Sequence, residues 1–300
     1  MRPLSDLTRH SQLRLGAALR ARVAGDDAAE RAQVIWGREG ERWFTPEDPV
    51  WRVHADAAMF PGGVAALLLQ SLHPLAMAGV AGHSGYRRDP WGRLKRTSHF
   101  LATTTFGTVE DAEATIEHVR GIHERVRGRD SRGRAYRASD PYLLGWVHVA
   151  EVDSFLRAHT AYGRHPLDPA GRDEYVAQAA VIARRLGVLD PPLTEAELAE
   201  RLAAYRPELR ATDHAREAVR YVVVSPPLAL AARPAYGVLV AAAVGLLPRW
   251  TRKPLRLPSL PVTERTVVRA GGSLATGTIR WAMSPGRAAA RELATARVEA

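Results

Sequence analysis

The sequence predicts an all-α protein with one helical core and a peripheral helical extension at each end. Residues with high helix propensity (Ala, Leu, Arg and Glu) dominate long windows, and clusters of Pro and Gly separate these windows. No set of segments alternates between apolar and polar residues as a half-buried sheet would, and no repeat of fixed period occurs. We expect an N-terminal helical arm over residues 1–42, a core domain over 43–255 and a C-terminal helical tail over 256–300.

Periodicity and end signals place the individual helices. Thr108, Asp140 and Thr194 each precede an apolar-periodic window and can cap its first turn, and Thr194 with Glu197 has the spacing of a capping box. Residues 128–138 are rich in Arg and Gly and are predicted to form an exposed basic loop. The predicted helices lie near residues 4–22, 26–35, 63–79, 90–102, 109–127, 140–161, 168–187, 194–209, 212–224, 235–247 and 261–295.

Composition excludes several kinds of site. The chain has no cysteine, which rules out disulfides, iron–sulfur clusters, thiolate-ligated or covalently attached haem and a cysteine nucleophile. It also lacks the HExxH, GxSxG, P-loop and GxGxxG motifs, and no histidine has a glutamate three positions before it. Any metal must therefore be held by histidine, by carboxylates or by a non-protein ligand.

The net charge of +10 is carried mainly by arginine, because lysine occurs only at positions 95 and 253. The arginines are spread among acids along the chain, so we expect no nucleic-acid binding, and a peripheral contact with anionic lipid headgroups fits the charge better. Residues 1–22 lack the apolar run of a secretory signal. We therefore expect a cytoplasmic protein, either free or associated with a membrane. The apolar stretch 235–247 is too short to span a bilayer and is either core or a surface-seeking element.

One helical face combines apolar residues with a histidine: Ile116, Val119, His123 and Val126. Arg120 and Arg127 flank this face. His118 points about 140° away from His123 at ~100° per residue, which predicts a rim or solvent position for His118. On spacing alone, a buried imidazole between cations is either a ligand for a metal or anionic cofactor, or a structural hydrogen-bonding group.

Two other histidines and one basic element are candidate site residues. His148 lies on an apolar helical face and points inward, and His73 precedes Pro74, which breaks the helical hydrogen-bond ladder and can free a carbonyl near a pocket. Arg93 and Thr97 are one turn apart and can line one side of a cavity. Together with Arg96, Arg120 and Arg127, Arg93 would suit an anionic cofactor bearing propionates, whereas solvated helix faces are the alternative.

The order and spacing of these motifs resemble the family of bacterial rubber oxygenases (latex clearing proteins) and fungal ER-bound MpaB-like oxygenases. The resemblance rests on Leu67–Pro74 (LLLQSLHP), Arg93 with Arg96 and Thr97, Val119–Arg127 (VRGIHERVR) and Trp146-Val147-His148. It implies a globin-like helical core around a non-covalent haem b, with His123 as the iron ligand. It also implies that Arg120 and Arg127 flank that ligand, and that Arg93 and Thr97 lie on the distal side. Characterised relatives use dioxygen to cleave carbon–carbon double bonds in isoprenoid chains.

Two departures from the family pattern concern the distal side. The rubber-cleaving relatives carry a lysine where this chain has Arg96, and arginine is a poor iron ligand because it does not deprotonate. They also use a distal glutamate, whereas no acid lies between Asp56 and Asp89 here. A base would have to be His73, our first choice, or His83 or a residue from elsewhere. We do not expect polyisoprene as the substrate.

The sequence thus predicts a haem b-dependent oxygenase that acts with dioxygen on a hydrophobic, isoprenoid- or lipid-like small molecule. Two alternatives stay open: a non-enzymatic helical protein that binds lipid or a partner at a membrane surface, and a metal-independent enzyme that uses His73 and His148 as acid and base. The predicted catalytic residues are Arg93, Arg96, Thr97 and His73; the predicted cofactor-binding residues are His123, Arg120, Arg127 and His148, and His123 is the metal ligand.

Overall fold

The computed structural model describes residues 4–25, 28–85 and 89–295, and this part of the chain is predominantly helical, which confirms the all-α prediction. The outermost residues of the predicted arm and tail, and residues 26–27 of the helix predicted at 26–35, lie outside the described residues. The helices are α1 (Leu4–Val23), α2 (Ala28–Gly37), α3 (Pro49–His54), α4 (Met59–Gln70), α5 (Pro74–His83), α6 (Pro90–Phe106), α7 (Val109–Arg125), α8 (Pro141–Tyr162), α9 (Pro169–Leu186), α10 (Glu195–Tyr205), α11 (Asp213–Val223), α12 (Arg233–Leu246), α13 (Arg249–Arg252), α14 (Pro261–Thr263) and α15 (Arg269–Thr295). Single 3-10 turns lie at Arg206–Glu208 and Leu230–Ala232, and a π-helical segment at Glu264–Val268 joins α14 to α15.

The predicted caps are present at the starts of α7, α8 and α10. The hydroxyl of Thr194 accepts a hydrogen bond from the backbone N–H of Glu197 at 3.1 Å, and the Glu197 carboxylate accepts one from the N–H of Leu193 at 2.7 Å. At α7 and α8 the side chains of Thr108 and Asp140 each accept one backbone N–H, from Asp111 at 3.2 Å and from Tyr142 at 2.9 Å. These local bonds satisfy N–H groups that have no partner within the helix, so a few residues fix where each helix begins.

The segment predicted as a basic loop is a short hairpin instead. Strand β1 (Arg127–Arg129) pairs with the antiparallel strand β2 (Ala135–Arg137), and the Asp130 carboxylate holds the turn through the Arg134 side chain at 2.7 Å. Helix α7 ends at Arg125, so the prediction that Arg127 lies on the helix was wrong. Strands of three residues are too short to show an alternating pattern, which is why periodicity did not reveal them.

Helices α4 and α5 occupy the region predicted as one helix, and their axes are bent by 108° at the break between them. Pro74 begins α5 and cannot donate to the preceding turn. The carbonyls freed at the break have partners: Gln70 accepts from Trp146 Nε1 at 3.1 Å, and Leu72 accepts from the N–H of Arg210 at 2.9 Å. The bend is therefore locked from two sides by the core.

Helix α4 packs against the long helix α8 at the centre of the core. A Cβ atom at Gly62 would lie 2.9 Å from the Cβ of Ala158, so only glycine allows the two helices to approach this closely. Leu68, Leu69 and Trp146 are almost completely buried in the same contact. Within the described residues, no single helix is long and apolar enough to cross a membrane. The bent pair α4–α5 is long and apolar enough only when its two helices are taken together.

The predicted extensions at the two ends pack against each other. The Gln12 side chain donates to the carbonyl of Trp281 at 2.8 Å, so α1 lies along α15, and α15 in turn lies along α12. Arg280 on α15 donates to the Asp56 carboxylate at 2.8 Å and to the carbonyl of Tyr162 at 2.9 Å. The C-terminal helix is thereby tied to the start of the core.

Candidate functional site

His123 lies in the last turn of α7 and is half-buried. Its Nδ1 atom is buried and has no hydrogen-bond partner, and burial lowers the pKa of the imidazole below its ordinary value. The ring is therefore neutral at pH 7, which is the form that binds a metal. His118, on the same helix, is exposed, as its helical angle predicted.

The two arginines predicted to bind the cofactor are both on the surface. Arg120 lies 3.9 Å from the Glu117 carboxylate in an exposed pair, and Arg127 is exposed in β1. Exposed ion pairs of this kind contribute little to stability. Neither guanidinium is committed to a buried structural role, so both remain accessible to an anionic group.

The basic element on α6 divides between an anchored and an exposed part. Arg93 donates to the hydroxyl of Ser84 at 2.8 Å and so links the start of α6 to the end of α5. Arg96 is exposed and lies 3.4 Å from the Asp89 carboxylate, and Thr97 is also exposed. Of the predicted distal residues, Arg93 is thus the one that the fold holds in place.

His148 and Glu151 lie one turn apart on α8, deep in the protein. The Nε2 atom of His148 is buried without a partner, and burial lowers the pKa of His148 to about 4. Burial also raises the pKa of Glu151 to about 7. Both residues nevertheless keep some accessible surface. The site therefore offers a neutral imidazole and a carboxyl group that is half-protonated near neutral pH.

A chain of buried polar groups lies close to Glu151. The ring of His54 contacts the Thr105 hydroxyl at 2.8 Å and the Tyr175 hydroxyl at 3.4 Å. Burial, followed by the nearby charge of Glu151, raises the pKa of Tyr175 well above its ordinary value. Burial, with the neighbouring His159, lowers the pKa of His54 to about 4. Helices α3, α6, α8 and α9 thus bring their polar groups together inside the core.

His73 lies at the break between α4 and α5 and is buried. Its Nδ1 accepts from the N–H of Ala76 at 3.4 Å and caps α5, and its ring packs beside Tyr142, Trp146 and Tyr205. Burial is the largest influence on its pKa, which is lowered. These contacts hold the ring at the α4–α5 break, while its buried Nε2 has no hydrogen-bond partner and lies 3.9 Å from the Glu208 carboxylate.

Sequence reasoning identified the inward histidines but missed Glu151 and His54. The available signal for Glu151 was its position one turn after the inward-facing His148, on a helix with no charged residue before it. His54 gave no such signal, because it lies on a helix of six residues whose neighbours come from distant parts of the chain.

Among the described residues, no group of three or more His, Asp or Glu side chains could hold a metal ion by itself. A haem iron differs from such a site because the porphyrin supplies most of its ligands and the protein need add only one. The unpartnered, neutral imidazole of His123 fits that single requirement.

These observations define a helical protein with neutral imidazoles and a near-neutral carboxyl group in its interior. Residues 51–281 match the family described as ER-bound oxygenase mpaB/B'/rubber oxygenase, catalytic domain, and the chain belongs to this family. It is therefore an enzyme, an oxidoreductase of the oxygenase class, which sets aside the non-enzymatic alternative. The match confirms the resemblance carried by the motifs and extends beyond residue 255, where the core was predicted to end. No curated protein and no solved structure matches the chain significantly.

Proposed function

We propose that this enzyme is a haem b-dependent oxygenase that uses dioxygen to oxidise a hydrophobic, isoprenoid- or lipid-like small molecule. Membership of the oxygenase family supports the reaction class. The observation that carries the cofactor assignment is His123, a neutral imidazole with an unpartnered buried Nδ1 within the motif that resembles the family's iron-binding segment.

In this proposal His123 is the protein ligand to the iron. The exposed guanidinium groups of Arg120 and Arg127 bind the propionates, since arginine forms paired hydrogen bonds with carboxylates. The unpartnered Nε2 of His148 provides a further polar contact inside the core. When bound, haem supplies an iron centre that activates dioxygen.

Glu151 takes the role of proton acceptor and donor in place of His73. Its pKa of about 7 lets its carboxylate oxygen take up or release a proton near neutral pH. The Nδ1 of His73 is occupied by its cap and its Nε2 lies near the Glu208 carboxylate, whereas Glu151 is held by neither a cap nor an ion pair. Arg93, held by Ser84, and the exposed Arg96 and Thr97 position the reactants.

The proposed substrate class rests on apolar side chains of the same helices. Several are only partly buried, so they retain surface that a hydrophobic molecule can cover: Ala76, Val80 and Ala81 on α5, Phe100 and Leu101 on α6, and Val147 on α8. The stretch from Ala57 to Gly85 carries no Asp, Glu, Lys or Arg, so α4 and α5 offer no formal charge to such a substrate.

The absorption spectrum of the purified protein tests this proposal. We expect protein expressed with added haem to show a Soret band, and a His123→Ala variant to lose most of it because the iron ligand is gone. His118→Ala, on the exposed side of the same helix, is the matched control and should keep the band. A wild-type protein without a Soret band, or a His123→Ala variant that retains haem as well as His118→Ala does, would overturn the proposal.

A further inference from the structure

The surface formed by residues 224–282 has a strong excess of positive charge. This span contains eight Arg or Lys residues and a single acid, Glu264. Two of the cations are paired inside the protein, Arg252 with Glu264 and Arg280 with Asp56. The other six are exposed: Arg233, Arg249, Lys253, Arg256, Arg265 and Arg269.

The same elements expose large apolar side chains, with accessible fractions from 40% for Val238 to 77% for Val262. Helices α12 and α15 lie side by side, because Val238 Cγ1 is 3.3 Å from the place where a Cβ of Gly271 would stand. Leu274 follows Gly271 by about one turn on α15 and is exposed. The exposed apolar side chains of these elements are Leu230, Val238, Leu260, Val262, Val267 and Leu274. We call them, together with the six exposed cations, the basic apolar face.

The turn that carries Lys253 and Arg256 is rigidly placed. Arg256 has a backbone φ of 56°, a left-handed conformation that a side chain other than glycine rarely adopts. Leu255 and Leu257 on either side of it are buried in the core and hold the turn in this form. Such strain persists only where the surrounding structure enforces it. The buried neighbours therefore fix the turn with its two cations exposed.

Charge decides what this face can bind. Two copies of the face would bring six exposed cations against six, which opposes self-association through it. Exposed apolar groups among arginines suit the boundary between lipid headgroups and acyl chains, where the cations meet phosphates and the apolar groups enter the membrane. Helix α12 and the turn before it, Leu230–Leu246, are an apolar helix too short to span a bilayer and long enough to lie at its surface.

We propose that the basic apolar face docks this enzyme on a membrane surface that contains anionic lipids. The exposed apolar side chains insert at the level of the headgroups, and the six cations bind the lipid phosphates. Because no residue of this face has been assigned to the cofactor, docking is independent of haem and is separable from the proposed oxygenase chemistry.

Co-sedimentation with vesicles tests the proposal. The full-length protein is mixed with vesicles of phosphatidylcholine alone or with about a third of phosphatidylglycerol, at low and high salt. We expect binding to the anionic vesicles that weakens with salt. The variant Arg249→Gln/Lys253→Gln/Arg265→Gln should bind them about 10- to 100-fold more weakly, since each cation near an anionic surface contributes measurably. The variant Val262→Gln/Val267→Gln/Leu274→Gln should lose the binding that survives high salt.

Matched control variants remove the same number of charges or an equally exposed apolar group elsewhere. Arg129→Gln/Arg132→Gln/Arg137→Gln on the hairpin and Leu189→Gln should bind vesicles as the wild type does. The proposal fails if the wild type does not bind anionic vesicles, or if the hairpin variant loses as much affinity as the face variant. It also fails if sedimentation shows a dimer that the apolar variant alone converts to monomer.

Discussion

Glu151 is a carboxyl group placed deep in a helical core without a hydrogen bond or ion pair to a cation. Transfer of an unpaired carboxylate from water to such a place is unfavourable, and the raised pKa of about 7 reflects that cost. A residue that weakens the fold at neutral pH is a functional-site candidate, because catalytic groups are where such shifts concentrate. The same holds for His148 one turn earlier, whose pKa burial lowers to about 4.

Replacing Glu151 should stabilise the apoprotein at alkaline pH. The pKa of Glu151 is about 7 in the folded protein, above the ordinary 4.5, so the unfolded chain loses its proton first and stability falls as pH rises from 4.5 to 7. Glu151→Gln removes this loss, and we expect a free energy of unfolding higher by about 1–3 kcal/mol near pH 8 and unchanged near pH 4. Urea unfolding at both pH values measures it, with the exposed Glu200→Gln as control. Equal pH dependence in the two variants would contradict the assignment.

At the scale of elements, a side chain that follows a helix can fix how that helix ends. Arg252 is buried, and its guanidinium donates to the carbonyls of Gly245 and Leu247 at 3.1 and 3.2 Å while also pairing with Glu264. These carbonyls belong to the last turn of α12 and the residue after it, where no backbone N–H is left to bind them. One side chain therefore closes α12 and attaches the π-helical segment before α15.

The variant Arg252→Met should be strongly destabilised. Removing one partner of a buried pair leaves two carbonyls without their donor and Glu264 with only the N–H of Leu260, a loss of about 3–5 kcal/mol in the free energy of unfolding. The exposed Arg249→Met in the same short helix should change it by less than about 0.5 kcal/mol. Denaturant unfolding of the two variants and the wild type measures both changes. Similar midpoints for the two variants would show that Arg252 does not stabilise the fold in this way.

Local signals predicted the helices and several helix starts, but not the hairpin or the break between α4 and α5. Thr108, Asp140 and Thr194 fixed helix starts because a cap depends only on neighbouring residues. The hairpin after α7 and the bend at Pro74 could not be predicted from helical periodicity. The hairpin depends on the contact of Asp130 with Arg134 in its turn, and the bend depends on the hydrogen bond from Trp146 to Gln70 across the core. Contacts of that kind leave no periodic trace in the sequence.

For the whole molecule, the pair between Asp56 and Arg280 joins the start of the core to the last helix. Burial alone would raise the pKa of Asp56, but hydrogen bonds from Arg280 and from the N–H of Ala58 outweigh it and hold the pKa below 3.8. Both side chains are largely shielded from water, so the pair is stronger than an exposed one. It secures α15, on which α1 and α12 rest.

Asp56→Asn should lower the thermal unfolding midpoint at neutral pH. The difference in stability between this variant and the wild type should become smaller in acid. Because the folded pKa of Asp56 is depressed, its stabilisation is present above pH 3.8 and is lost as pH falls through the folded pKa. A loss of about 1–3 kcal/mol at pH 7 that shrinks toward pH 3 is expected. Asp213→Asn removes an exposed ion pair with Arg216 and should have little effect at either pH. A constant deficit for Asp56→Asn across the range would contradict the linkage.

The sequence by itself determined the helical class, most helix positions, the inward direction of His123 and His148, and the oxygenase family, because these depend on periodicity, caps and local motifs. Tertiary structure alone decided which polar groups meet inside the core. Glu151, Tyr175 and His54 are spread over more than a hundred residues of sequence, and only packing gives them a common surrounding and shifted pKa values. The basic apolar face likewise exists only once α12 and α15 lie together, since exposure is a property of the folded surface.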